Sequence, residues 1–273
     1  MNILDEIVAH KRKEVAERRD FYSEKLLEQS VYFEMPCISM VQRLMAGDKA
    51  GIIAEIKRKS PSKGVINMNI SIETTSRGYV KAGASALSIL TDNHFFGGSS
   101  MDLTEARIFN NRCPILRKEF IVEEYQVMEA KAIGADVILL IAAALSAPRL
   151  KELCRYAHGL GLEVLLEIHD EKELLENLEA GADLLGVNNR DLKTFKLNVE
   201  TSMQLADLIP DTLVKVSESG IESPEVIIKL KQYGFRGFLM GQTFMLNARP
   251  DLAAEEFINA LRLAESLPLE AKR

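Results

Sequence analysis

From residue 51 onward the chain alternates two hydrophobic patterns. Short, nearly unbroken apolar runs at 52–57, 85–90, 114–118, 136–141, 162–167, 183–188, 212–217 and 237–240 predict strands. Between them, at about 72–82, 102–111, 122–133, 146–159, 170–180, 199–209, 223–233 and 251–265, apolar positions recur at helical spacing. Several helices run into a glycine just before the next strand: Gly83, Gly134, Gly181 and Gly234. Glycine is the usual residue just past a helix C-terminus. The first three of these glycines sit in a phrase of the form Gly-Ala-(Ser/Asp), a weak internal repeat of the unit. Eight β-strand/α-helix units in succession predict a parallel sheet, and eight is the number that closes a barrel. An open doubly wound sheet is the main rival. It would usually carry Gly-x-Gly-x-x-Gly after its first strand, and none is present. The expected fold is α/β, a (β/α)8 TIM barrel with an N-terminal helical extension.

The extension is residues 1–48. Leu4, Ile7, Val8, Lys11 and Val15 form one stripe of a helix predicted over 3–29. Val31–Pro36 breaks the pattern, and Ile38–Met45 predicts a second short helix stopped at Gly47-Asp48. So few apolar residues cannot build a separate core, so the segment is expected to pack on a barrel of 49–273.

Composition narrows the function. An apolar share of 47% is ample for one large core. The net charge of −6, with both signs interspersed, gives no footprint for nucleic acid and no polybasic run for a membrane. A local site for an anion stays possible on an acidic chain. The longest apolar run, Val137–Leu145, is too short to span a bilayer. Cys37, Cys113 and Cys154 are odd in number and widely spaced, which fits a reducing cytoplasm. His10, His94, His158 and His169 show no paired metal spacing. The expectation is a cytoplasmic protein without a metal site. A monomer is expected, although nothing in the residues derives it.

The candidate chemistry lies where strands end. Along the first strand Ile52, Ala54 and Ile56 share one face, and Ile53, Glu55 and Lys57 the other. Two charges on an inner face call for pairing, either as a structural ion pair or as a site. Other strand ends carry Lys118, Glu167, Asn188 with Arg190, and Glu218 with Ser219. Barrel active sites occupy that end, and unrelated surface ion pairs would not prefer it. Ser219-Gly220 and Gly241-Gln242 follow the seventh and eighth strands, where barrels often hold phosphate on backbone N–H groups. Each glycine alone reads more readily as an ordinary turn; the two together favour phosphate.

These residues resemble the indole-3-glycerol phosphate synthase family. The likeness rests on Ala54-Glu-Ile-Lys-Arg-Lys-Ser-Pro-Ser62, Leu90-Thr-Asp, Phe95-Phe-Gly-Gly98, Leu116–Ile121, Glu163–Asp170, Gly186–Leu192 and Val216–Ile221, and it covers nearly the whole chain. It implies conversion of 1-(2-carboxyphenylamino)-1-deoxyribulose 5-phosphate to indole-3-glycerol phosphate, carbon dioxide and water, in tryptophan biosynthesis. On this resemblance the enzyme is a carboxy-lyase and uses no cofactor. Lys118 is then the acid for ring closure. Lys57 contacts the substrate carboxylate and is a candidate acid for dehydration. Glu55 is a base in the dehydration, and Glu167 supports the acid lysine or the developing iminium charge. Asn188 holds a substrate hydroxyl or carboxylate, and Arg190 a carboxylate. Glu218 and Ser219 complete the pocket, while Ser60, Ser219, Gly220 and Gly241 surround the phosphate. Phe96 either covers the aromatic ring or anchors its loop. Lys59–Gly64 is expected to be a mobile rim. Two departures stand out: Glu119 replaces the more common Asp, with no loss expected. Gln242 follows Gly241 where Ser or Glu is common, which leaves the backbone to contact phosphate there.

Two other readings compete. A phosphoribosylanthranilate isomerase would use a Cys/Asp pair, and the first strand has no cysteine. A non-catalytic sugar-phosphate sensor would need the glycines but not Lys118, Glu167 and Asn188.

Overall fold

A computed structural model describes residues 3–191 and 194–266. Leu192, the last residue of one quoted motif, lies outside them, as do 267–273. Eight strands form the barrel: β1 (Ile52–Ile56), β2 (Ala86–Leu90), β3 (Ile115–Lys118), β4 (Val137–Ile141), β5 (Glu163–Ile168), β6 (Leu184–Asn188), β7 (Val214–Glu218) and β8 (Gly237–Met240). Each pairs in parallel with its sequence neighbour, and β1 closes the ring on β8. The expected closed sheet is therefore present.

Period-two alternation sorts the apolar residues into two layers. Ile53, Leu116, Leu139, Leu165, Val216 and Leu239 pack together inside the barrel. Ile52, Ala54, Ile56, Ile138, Leu140 and Val164 belong to the thicker layer between strands and helices. The helices that follow the strands stand close to their expected places. The first runs Ile72–Ala82 behind Ser71, whose side chain accepts the Thr74 N–H, and ends at Gly83 with φ 111°. A left-handed residue of this kind stops a helix and turns the chain into the next strand.

The N-terminal extension departs from the pattern in one respect. The helix expected over 3–29 breaks into α1 (Ile3–Phe21) and α2 (Glu24–Glu28), separated at Ser23. The break lets the chain turn. Val15 and Leu27 then pack with Tyr125 and Met128 of the helix after β3. A third helix, α3 (Met40–Met45), buries Met40 and Leu44 in the interior cluster. Glu163, the first residue of β5, accepts the Met40 N–H at 2.8 Å and the Val41 N–H at 3.1 Å. The Ser39 hydroxyl donates to it as well. The carboxylate thus satisfies the free N–H groups of α3 and complements its positive end.

Helix α1 lies at the opposite end, where Ile3, Leu4 and Ile7 help line the cavity at the barrel mouth. Lys11 on the same stripe is almost fully buried. Its Nζ lies 2.8 Å from Asp92 Oδ2 and 3.1 Å from Glu119 Oε1, just past β2 and β3. Burial opposes that charge, but the two carboxylates outweigh it and raise the Lys11 pKa. Two further elements were not visible in the hydrophobic pattern. Lys59–Ser60 and Gly64–Val65 pair as a small antiparallel hairpin, so the expected rim has regular structure. A four-residue helix, Gln242–Met245, follows β8 directly.

Lys11→Met should destabilise the fold by about 3–5 kcal/mol, because two buried carboxylates lose their cation. The check is a lower urea midpoint at unchanged slope. A loss under about 1 kcal/mol would show that the carboxylates are solvated and the pair does not hold α1.

Candidate active site

The C-terminal ends of the strands open into one cavity of ≈ 180 Å³. All the candidate residues line it: Glu55, Lys57, Ser60, Phe96, Lys118, Glu167, Asn188, Arg190, Glu218, Ser219, Gly220, Gly241 and Gln242. Four of them, Glu55, Lys118, Glu167 and Glu218, come from β1, β3, β5 and β7. Alternate strands of a barrel contribute four side chains to one interior layer, and in this layer all four are ionisable. The odd strands also supply Ile53, Leu116, Leu165 and Val216, two residues earlier in each strand, to the apolar interior. The change from greasy to charged therefore happens in one step along the barrel axis.

Lys118 is the centre of this layer. Its Nζ donates to Glu167 Oε2 and to Glu218 Oε2, each at 2.7 Å. Burial works against the ammonium, but Glu167, Glu218 and Glu55 together outweigh it and raise its pKa well above the usual lysine range. Repulsion from Lys57 does not decide the balance, and Lys118 stays protonated at neutral pH. The two carboxylates respond in opposite directions. Glu167 is drawn well below the usual carboxylate range: burial opposes the charge, and Lys118 and His169 outweigh burial. Glu218 is pushed up to about 7, first by burial and then by the negative charge of Glu167, against the pull of Lys118.

Neighbours fix these groups in place. Asn188 Nδ2 donates to Glu167 Oε1 at 3.1 Å, and Asn188 Oδ1 accepts the Arg190 N–H at 3.0 Å. Lys57 Nζ donates to Glu55 Oε1 at 2.7 Å, and the Ser88 hydroxyl approaches Glu55 Oε2 at 3.5 Å. Glu55 is buried, while Lys57 keeps part of its side chain in the cavity. The ion pair and the site, alternatives by sequence, are thus the same pair of residues. Gly186 makes room for Glu218: a Cβ there would lie 2.2 Å from Glu218 Oε1. Gly241 does so for Glu55, whose Oε1 would lie 2.7 Å from a Cβ at that position.

One wall of the cavity is apolar. Phe96 and Phe120 have ring centroids 5.8 Å apart, with Leu139 and Ile141 also facing the cavity. Opposite them, Ser219 and Gly220 both adopt left-handed backbone, with φ of 68° and 75°. Ser219 is one of only two non-glycine residues with positive φ among the described residues. Such a conformation persists where the surroundings demand it, and it clusters at functional sites.

Phe120, Phe195, Leu197 and His169 were not singled out by sequence. Phe120 and His169 had a signal, because each stands two residues after a candidate, Lys118 and Glu167, as Lys57 does after Glu55. The alternation continues past the strand ends. Phe195 and Leu197 had none, since they reach the cavity from a loop. Glu119, expected to be a mild variant beside Lys118, faces the other way. It accepts from Thr91 Oγ1 at 2.7 Å and pairs with Lys11. None of the cysteines lines the cavity; Cys113 and Cys154 are buried in the outer layer.

Comparison with known proteins agrees on both fold and family. Among solved structures, 3-hexulose-6-phosphate synthase from Salmonella typhimurium superposes with a TM-score of 0.62 at 12% identity, covering 78% of this chain and 99% of that one. Thiamine phosphate pyrophosphorylase from Pyrococcus furiosus does so with 0.59 at 15%, covering 82% and 98%. At such identities the likeness is one of barrel architecture alone. Sequence relatives are much nearer. An indole-3-glycerol phosphate synthase of Bacteroides thetaiotaomicron is 48% identical over 261 residues, 96% of this chain and 99% of its own length. One of Burkholderia lata is 44% identical over 257 residues, 93% and 97% respectively. The model of the family described as indole-3-glycerol phosphate synthase matches residues 4–257, and the chain belongs to that family.

Proposed function

We propose that the charged layer carries out the reaction of the family. In it, 1-(2-carboxyphenylamino)-1-deoxyribulose 5-phosphate becomes indole-3-glycerol phosphate with loss of carbon dioxide and water. The observation that carries this is Lys118, a partly buried ammonium held by two carboxylates at the mouth of a barrel, beside an apolar wall. A lysine kept protonated serves as an acid and not as a nucleophile. As the aromatic carbon attacks the ketone, the carbonyl oxygen becomes alkoxide-like and far more basic than an amine. Lys118 then gives it a proton. Glu167, ionised and tethered by Asn188, stabilises the positive charge that develops on the ring nitrogen side. Lys57 and Arg190 hold the substrate carboxylate until it leaves. In the dehydration Lys57 gives the departing hydroxyl the proton that makes it water, and Glu55, paired with Lys57, removes the last proton. Phe96 and Phe120 receive the aromatic ring.

The phosphate lies on the opposite rim. Ser60, Ser219, Gly220, Gly241 and Gln242 surround it there. The left-handed pair Ser219-Gly220 and the short helix after β8 supply backbone N–H groups of the kind barrels use for phosphate. Among the described residues no helix is long and apolar enough to cross a membrane. We place the reaction in the cytoplasm, where the three free cysteines would stay reduced.

Purified protein mixed with the carboxyphenylamino substrate should develop indole fluorescence, and no product at steady state would overturn the assignment. In the same assay Lys118→Ala should lower kcat by about 10²–10⁴, and near-normal turnover would remove the lysine from the chemistry. Glu218 adds a pH signature. Above about 7 it is ionised and anchors Lys118; as the pH falls through that value it takes up a proton and the ion pair is lost. The profile of kcat/KM should therefore decline toward acid with an ionisation near 7, and Glu218→Gln should abolish that step. Retention of the step in the variant would assign it to another group.

A further inference from the structure

His169 stands two residues after Glu167, just beyond β5, and its side chain is largely buried. No role in the chemistry above requires it. Its ring sits between two carboxylates. Nδ1 lies 3.1 Å from Glu173 Oε2, and Nε2 lies 3.3 Å from Glu167 Oε1. Glu173 is itself fixed: its Oε2 also accepts the His169 N–H at 2.8 Å. Its own N–H donates to Asp170 Oδ1, the cap of the helix Glu171–Asn177, at 2.8 Å. The inner contact is an ion pair, not an aligned hydrogen bond, for Nε2 has no hydrogen-bond partner of good geometry. Contacts of this kind often tighten only when substrate is bound.

Each oxygen of Glu167 thus has its own cation. Oε2 faces Lys118 at 2.7 Å, and Oε1 faces His169 at 3.3 Å and the Asn188 amide at 3.1 Å. Burial disfavours a charged imidazole, but Glu167 and Glu173 outweigh it and push the His169 pKa up to about 10. The ring is therefore a cation at neutral pH. Without it, Oε1 would keep only the neutral Asn188 amide, and Glu167 could turn away from Lys118.

We propose that His169, braced by Glu173, is a positioning residue that locks the Glu167 carboxylate in the orientation ring closure needs. This rests on the role given to Glu167 above. It makes no direct contact between His169 and substrate necessary.

The test is a double-mutant cycle on kcat. His169→Gln should lower kcat by about 10–100-fold, as loss of sub-ångström placement does, with KM for the substrate nearly unchanged. On a Glu167→Gln background the same change should have no further effect on kcat, because the group it positions is gone. Equal losses on both backgrounds would overturn the proposal and leave His169 a purely structural residue. A full kcat in Glu167→Gln alone would instead sink the role of Glu167, so the two failures are distinguishable. If His169→Gln does not fold, Glu173→Gln serves in its place. It keeps an acceptor for Nδ1 but removes a charge. It should give a smaller fall in kcat that again vanishes on the Glu167→Gln background; persistence there would count against the positioning role.

Discussion

The Lys118 ammonium is largely withdrawn from bulk water, and the rest of the site is arranged around that fact. An uncompensated buried charge costs several kcal/mol, so Lys118 requires carboxylates within contact distance. The layer supplies three, Glu55, Glu167 and Glu218, against one ammonium. Lys57 offsets Glu55, and His169 and Lys118 offset Glu167. Glu218 is left to share Lys118, with one oxygen that finds no partner. Excess negative charge in a dry layer is relieved by a proton, and Glu218 is the carboxylate that can bind one near neutral pH. Its raised pKa and the lowered pKa of Glu167 are therefore two consequences of a single imbalance. Environments that push like groups apart in this way are how a barrel obtains an acid and a base from the same side chain.

The same strand sorts a second charge network onto its outer face. Arg117, Lys118 and Glu119 are consecutive, yet only Lys118 points into the barrel. Arg117 donates to the Gln126 carbonyl at 2.7 Å and to Thr91 at 3.1 Å, and it pairs with Glu129. Glu119 meets Lys11 of α1. Alternation along β3 thus keeps Lys118, the proposed acid, apart from the structural charges of Arg117 and Glu119 on either side of it. It also ties the N-terminal helix to the strand that carries Lys118. The extension holds the barrel at both ends, with α1 over the mouth and α3 filling the base. Displacing α1 would disturb Glu119 without touching the adjacent Lys118.

Much of this was legible in the chain because a barrel converts one-dimensional periods into position. Period two placed Ile53 and Glu55 on the inner face and Ile52, Ala54 and Ile56 on the outer one, as the two packed layers have it. Strand ends then gathered Lys118, Glu167, Asn188 and Glu218 at one mouth. What the pattern could not carry was contact between residues far apart in sequence. The break at Ser23 lets Leu27 dock on the helix after β3, a contact that no local pattern shows. The hairpin at Lys59–Val65 is too short and polar to show a strand period. Glu218 looked like pocket wall, since nothing local reveals that it shares Lys118 with Glu167. Lys11 looked like one residue of an otherwise apolar stripe, and only its partners after β2 and β3 explain its burial.

Gly241 shows how a conclusion drawn from sequence can acquire a different cause. By sequence it belongs beside phosphate, as a glycine after the eighth strand. In the fold its missing side chain is required by Glu55, since even a methyl group would sit 3.0 Å from the Glu55 Cβ. Gly186 plays the same part for Glu218 on the neighbouring even-numbered strand. The two glycines lie beside the charged layer, on β6 and at the end of β8. Carboxylates there can lie flat against backbone, not against a second ring of side chains. Close packing leaves little spare volume inside a barrel, so an interior layer of four ionisable groups needs neighbours that give way. Room for the carboxylates is thus a steric precondition for the electrostatics of Lys118. It binds these two positions whether or not a phosphate also rests on the backbone of residue 241.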